Sequence, residues 1–395
     1  MRKILYFICC LLILSACTGK KTIETVPEYP ISIKKKVTNI FLGRPSEIAY
    51  MDSFLLISDN MNETLLDIYD LKGDSMFSRV LNVGQGPDEL LSPITVEVSE
   101  EERELYILQR QNSQMNTYSF YDLMQGTFHP QKSVNLQDAD RAIAVCNGFL
   151  ASGFYEDGTF HLFDTSGKNL ASIDIYPSYM QELKDIYEKY KLGQGYFAYN
   201  QNSHVLVFAS YFTGDVFFYS MEGNQLFQQK HFSFGDGKIE RKIESLKNNI
   251  NIEGDDIVYS YGAYTAGNYF YILYSGRTLK EEQSSKKGNY ILKFDLKGNF
   301  ICKYKHDFPV IDMCFADNGD FYAISQSESS RSAPLRELSP LRTVRASFPA
   351  YGSSNMTATD FVVGRAISFS TFIFIIYFAF YVYNWYVQEF LPFVR

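Results

Sequence analysis

NYILKFDLKGNFICKY, residues 289–304, sets two alternating apolar runs on either side of Asp295-Leu296-Lys297-Gly298. Alternation with period two marks a strand with two distinct faces. The polar break ending in glycine predicts a hairpin whose turn uses the backbone freedom of Gly298. The unit recurs upstream as Ile68-Tyr69-Asp70-Leu71-Lys72-Gly73, Phe163-Asp164-Thr165-Ser166-Gly167 and Tyr219-Ser220-Met221-Glu222-Gly223. Tyr121-Asp122-Leu123-Met124-Gln125-Gly126 is a variant one residue longer. Each copy has an aromatic residue, usually an Asp, fillers and a Gly, followed by another apolar strand. Self-similarity at intervals of roughly 40–75 residues means repeated supersecondary structure, and short strands point to an all-β propeller.

Strands grouped in fours give blade one over 48–81, blade two from Ile94 to Val134, and blade three from Ala142 through LASID. Blade four runs from YFAYN through LFQQKHF, and blade five from IVYSYGAY through FICKY. Blade six has Ile311-Asp312-Met313-Cys314-Phe315 and Phe321-Tyr322-Ala323-Ile324-Ser325, then stops. At about 50 residues per blade, 31–330 holds six four-stranded blades. An open edge strand invites association, so 31–37 or 39–42 is expected to close blade six. The alternating LRTVRASF (341–348) can take its remaining position. Helical inserts are expected over 178–192, with Ser178 and Gln181 spaced as a capping box, and over 238–249. Such inserts commonly decorate the rim where binding occurs.

The chain begins with a basic Met1-Arg2-Lys3 and an apolar 4–14, too short for a mature bilayer span. Leu14-Ser15-Ala16-Cys17 matches the bacterial lipobox, so 1–16 is expected as a signal and Cys17 as the lipidated residue. Residues 17–30 read as a tether. Thr18 stands where Asp would, by resemblance to enterobacterial lipoproteins, retain the protein in the inner membrane. An outer-membrane, periplasm-facing address is the expectation.

Net charge of −8 with interspersed signs excludes nucleic acid as the expected partner. Cys146, Cys302 and Cys314 remain after the signal and Cys17, with no CxxC spacing, and read as small buried side chains in strands. The five His are scattered, so neither a metal nor another cofactor is expected. Val83-Gly84-Gln85-Gly86-Pro87-Asp88-Glu89-Leu90 joins blades one and two. Its G-x-G lacks a following helix or Lys for phosphate, and Pro87 removes a donor. The expectation is a tight turn with Gly84 and Gly86 in conformations closed to other residues, and with Asp88 and Glu89 at the ring mouth as candidate binding residues.

The lipobox, the short tether, a first blade ending in G-x-G-P-x-E-L and the repeated aromatic-Asp-x-x-Gly hairpins resemble the TolB-like six-bladed β-propeller lipoproteins of Gram-negative bacteria. The resemblance covers about residues 1–328, with Asp88 where many relatives carry Gly. It implies a cell-envelope propeller that binds rather than catalyses, and it supplies no catalytic residues to carry over. The expected function is a lipid-anchored, non-catalytic binding or scaffold module for a protein, peptide or glycan. The other reading is a propeller hydrolase or lyase whose site is assembled from several blades at the central channel.

After Ser330 the composition changes: residues 331–395 contain six Arg and no Lys. Residues 331–365 read as linker or disordered chain. Ala366 to Gln388 is 23 uncharged residues, either a transmembrane helix or the product of a frameshift that also truncates blade six.

Overall fold

The computed structural model describes residues 23–37, 42–325 and 342–347, apart from 61, 62, 87, 248, 286–289, 307, 309, 317 and 318. The expected signal, Cys17, the 366–388 segment and most of 331–365 lie outside these residues. Strands β1 (Glu28–Pro30) and β2 (Ser32–Val37) precede the first sheet, β3 (Pro45–Met51), β4 (Phe54–Asp59), β5 (Thr64–Asp70) and β6 (Ser75–Asn82). The second sheet is β7 (Ile94–Ser99), β8 (Glu104–Gln109), β9 (Gln114–Ser119) and β10 (Lys132–Asn135). The third is β11 (Ala139–Val145), β12 (Gly148–Gly153), β13 (Phe160–Asp164) and β14 (Asn169–Ile173). The fourth is β15 (Gly195–Asn200), β16 (Val205–Ser210), β17 (Asp215–Glu222) and β18 (Gln225–Ser233). The fifth holds β19 (Ile257–Ala266), β20 (Tyr269–Thr278), β21 (Tyr290–Asp295) and β22 (Phe300–Lys305), with β1 added at its edge. The sixth has the order β2–β25–β24–β23, from β23 (Asp312–Phe315), β24 (Asp320–Ser325) and β25 (Arg342–Ser347).

The apolar runs are continuous because the middle strands are buried on both faces. Leu55 and Ile57 of β4 pack toward the sixth sheet, whereas Leu56 between them packs toward the second. Leu206 and Phe208 of β16 face the third sheet, and Val207 and Ala209 face the fifth. The interior is therefore divided into apolar wedges, one between each neighbouring pair of sheets, including the pair formed by the sixth and first. The first strand of each sheet lies against that of the next, and β23 lies against β3. This is an all-β propeller with few helices.

The recurrent hairpin has a physical basis in its Asp. Asp295 Oδ1 accepts from Lys297 N at 2.9 Å and from Asn299 N at 2.7 Å, which ties down the turn. Gly298 then takes φ 69°, open to glycine without penalty. Asp164 does the same for Ser166 N and Lys168 N, with Gly167 at φ 82°. Gly223 also adopts positive φ in the β17–β18 turn. At 68–73 the left-handed residue is Asp74 rather than Gly73. The 121–126 variant is not a tight hairpin. Helix α1 (Phe120–Met124) occupies it, capped by Ser119, and Gly126 follows at φ 83°.

Three further expectations are corrected or completed. The tether is not free over its second half: Val26 packs into the wedge between the fourth and fifth sheets, and β1 runs parallel to Lys303–Lys305. The insert over 178–192 is two helices, α2 (Ser178–Gln181) and α3 (Ile186–Gly193). Its side-chain cap is Asp185, which accepts from Glu188 N, and Ser178 caps nothing. The carboxylate at 185 wins because it stands directly before the longer helix, where free N–H groups point. The second insert forms as α4 (Lys238–Leu246), and α5 (Leu279–Ser285) follows β20. The sixth sheet closes as the alternation suggested. β2 pairs antiparallel with β25, which pairs antiparallel with β24, so a strand lies within the stretch read as linker.

Candidate functional site

Antiparallel alternation fixes what faces the axis. β3, β7, β11, β15, β19 and β23 are the edge strands on that side, so one row of their backbone groups has no ladder partner. Carboxylates of neighbouring sheets fill part of this row. Asp312 Oδ2 accepts from Ile48 N at 2.8 Å, Glu47 Oε2 from Val96 N at 2.7 Å, and Glu97 Oε2 from Ala144 N at 2.8 Å. Each bond crosses from one sheet to the next, running from the sixth through the first and second to the third.

The belt continues with other chemistry. The Arg141 guanidinium of the third sheet lies 4.4 Å from the ring centre of Tyr196 in the fourth. Tyr264 of the fifth donates its hydroxyl to Asp312 Oδ1 at 2.6 Å. These side chains surround an axial cavity of about 860 Å³ that also meets Arg110, Tyr199, Tyr261, Tyr269 and Tyr271. No histidine or lysine is among its described lining residues.

Enclosure sets the protonation states. Burial pushes the Glu97 carboxyl up to about 8, against the Ala144 amide and with help from Glu47. Burial also raises Asp312 to about 7, with the Glu47 charge adding to it and Tyr264 opposing. Glu47 is raised by burial and partly restrained by Arg141. Burial works against the Arg141 cation, but Tyr196, Glu47, Asp140 and Asp312 together hold it protonated. Arg141 makes no hydrogen bond to a protein acceptor among the described residues, so its donors are left to the cavity.

Asp88 and Glu89 are not in the axial cavity. Asp88 pairs with His129. Glu89 folds back so that Oε2 accepts from Gly86 N at 2.8 Å, beside a separate lateral pocket. This also corrects the roles of Gly84 and Gly86, neither of which has positive φ. A Cβ on Gly84 would come within 1.8 Å of Glu89 Oε2, so a larger residue there would displace the exposed Glu89 carboxylate from its present position.

Cys302 and Cys314 are buried in strands as expected, but Cys146 is exposed in the β11–β12 turn. Its Sγ lies 2.8 Å from Tyr199 OH and 2.9 Å from His204 Nδ1, a grouping that joins two sheets and has no signature in sequence spacing. Glu253, Asp255 and Asp256 are close enough to share an ion, but Lys238 and Lys242 already hold them at 2.8–3.2 Å.

The ring of sheets can now be set beside known proteins. The model of a family described as TolB-like 6-blade propeller-like matches residues 25–318. The chain belongs to that family. Among solved structures, this TolB-like propeller is similar to a DUF4221 family member from Bacteroides vulgatus ATCC 8482, with 13% identity and TM-score 0.52, covering 80% of this chain and 97% of that one. It is also similar to a protein of Bacteroides fragilis NCTC 9343 described as a candidate exported protein, with 12% identity and TM-score 0.55, covering 82% and 99%. At these identities the likeness concerns the fold. Comparison with curated proteins returned no match.

Proposed function

We propose that this TolB-like protein is a six-bladed propeller, lipid-anchored through Cys17 in the cell envelope, that binds a protein, peptide or glycan in its axial cavity without catalysing a reaction. The observation that carries the reading is Arg141. A cation enclosed by the ring, stacked on Tyr196 and lacking a protein acceptor among the described residues, is a group prepared for an acceptor on a ligand. The nearby carboxylates Glu47, Glu97 and Asp312 are engaged with backbone amides of adjacent sheets, which suits holding the ring together more than acid–base chemistry. The lipobox and the exported relative support the envelope address.

The hydrolase or lyase reading draws on one contact, Tyr264 to Asp312, in which a carboxyl raised to about 7 meets a phenol at 2.6 Å. Calorimetry on the full chain with short peptides bearing a free C-terminal carboxylate, and with acidic and neutral glycans, separates the readings. The expected result is saturable binding of a carboxylate-bearing peptide or an acidic glycan that Arg141→Met abolishes while the melting temperature is retained. Turnover of esters, lactones or glycosides that Asp312→Asn eliminates would replace binding with catalysis. Lipid labelling that persists in Cys17→Ala would remove the anchor.

A further inference from the structure

A second pocket lies between the first two sheets, bounded by the turn at Gly84–Leu91 and by β8, β9 and the chain leading into β10. Its volume is about 460 Å³, within the roughly 300–1,000 Å³ typical of small-molecule sites. Its lining chemistry differs from that of the axial cavity. Gln85, Gln109, Gln114, Asn112 and Asn116 face it together with Ser133. No Lys, Arg or His is among its described lining residues, and the one carboxylate, Glu89, already accepts from Gly86 N.

Several of these amides are held in place by one another. Gln109 Oε1 accepts from Leu91 N at 2.7 Å, and its Nε2 donates to Gln114 Oε1 at 3.2 Å. Asn116, 2% exposed, accepts from Ser133 Oγ at 2.6 Å. The second and independent observation is Tyr118. It lines the pocket, is 1% exposed, and its hydroxyl has no hydrogen-bond partner among the described residues. A buried hydroxyl left unpaired costs about 1–3 kcal/mol, a cost that a ligand oxygen could remove.

We propose that this lateral pocket binds a neutral, polyhydroxylated ligand, a sugar unit, with Tyr118 hydroxyl and the Gln114 and Asn116 amides as its polar contacts. The oxygens of Gln114 and Asn116 are engaged by Gln109, Asn112 and Ser133, which turns their amide N–H groups out as donors for the hydroxyl oxygens of a ligand. An anion finds no cation here, and an apolar ligand would strip water from amides without replacing their bonds. The inference is independent of the axial reading, because the two cavities share no lining residue.

Saturation-transfer NMR on the full chain, with glucose, galactose, mannose, N-acetylglucosamine and their β-linked disaccharides at millimolar concentration, tests the proposal. Inorganic phosphate and a neutral tripeptide serve as competitors. The expected result is transfer from at least one neutral sugar, weakened at least tenfold by Tyr118→Phe and by Gln114→Ala and unchanged by Arg141→Met. Tyr118→Phe removes only an unpaired hydroxyl, so its melting temperature should be equal to or above that of the parent. No transfer from any of these sugars overturns the proposal. So does sugar binding indifferent to Tyr118→Phe, displacement by phosphate or the tripeptide, or a marked loss of stability in Tyr118→Phe, which would show the hydroxyl to be paired internally.

Discussion

The seam between the fourth and fifth sheets and the seams flanking the second are built from different materials. At the former, Phe218 lies 5.2 Å from Phe294 and 5.9 Å from Phe270, and Phe232 and Phe234 reach Phe300. Gly298 brings its turn onto Phe218, where an added Cβ would come within 2.7 Å. At the latter, apolar wedges are supplemented by Glu47 and Glu97, whose carboxylates cross to the backbone of the next sheet near the axis. Ring contacts are indifferent to pH, whereas an enclosed carboxyl is not. The axial site thus sits where adhesion between sheets can titrate, and the aromatic seam holds the far side whatever the protonation state.

The largest expected effect is at the aromatic seam. Phe218→Ala empties a fully buried ring position and should cost about 3–5 kcal/mol in chemical denaturation. A loss under about 1 kcal/mol would show that the seam is not a principal support. Gly298→Val attacks the same seam from the backbone. It combines a β-branched residue at φ 69° with a clash against Phe218, and about 2–5 kcal/mol is expected. The neighbouring Lys297→Ala should stay within about 0.5 kcal/mol. Equal effects of the two would refute the turn assignment.

On the carboxylate side, Glu97→Ala leaves the Ala144 amide without its acceptor and should cost about 1–3 kcal/mol. Glu97→Gln keeps an oxygen at that place and should recover most of the loss. Failure of the Gln variant to recover would mean that charge rather than acceptance matters there.

The smallest effect is on pH dependence, and its sign follows from the raised carboxyls. Glu97 at about 8 and Asp312 at about 7 bind protons more tightly in the folded chain than in the unfolded one. Their contribution is therefore fully present below the unfolded values near 4 and is lost as pH rises through 7 to 8. Melting temperature should fall between pH 5 and 8, with a shallower slope in Glu97→Gln and Asp312→Asn. A slope unchanged in both variants would place these carboxyls in a more hydrated setting than the structure shows. Phe218→Ala should lower the curve without altering its shape, which separates the two kinds of seam.

Local rules made much of the architecture legible. Period-two alternation located the four main strands of each of the first five sheets, though not β1. Counting strand positions pointed to 31–37 or 39–42 and to 341–348 for closure, places taken by 32–37 and 342–347. The aromatic-Asp-x-x-Gly unit is readable because its cause is local: an Asp side chain reaches amides two and four residues on, and a Gly supplies positive φ. Where a nearby competitor existed, the local reading went astray. Asp185 took the cap assigned to Ser178, Asp74 took the conformation assigned to Gly73, and Gly84, beside the Glu89 side chain, does not take the positive φ assigned to it.

By itself the sequence determined the strand pattern, the repeat and the turns, because each depends on residues within a few positions of one another. Only the tertiary structure decided the sites. Glu47, Glu97, Arg141, Tyr196, Tyr264 and Asp312 are spread over more than half of the chain, yet they converge because each lies on the axial strand of a different sheet. No spacing rule links them, since the ring and not the local backbone sets their distances. The lateral pocket is the same in kind: Gln85 and Ser133 meet because the loop joining the first two sheets folds beside the outer strands of the second. Side-chain period fixes which face a residue takes, but only the closing of the ring fixes what that face meets.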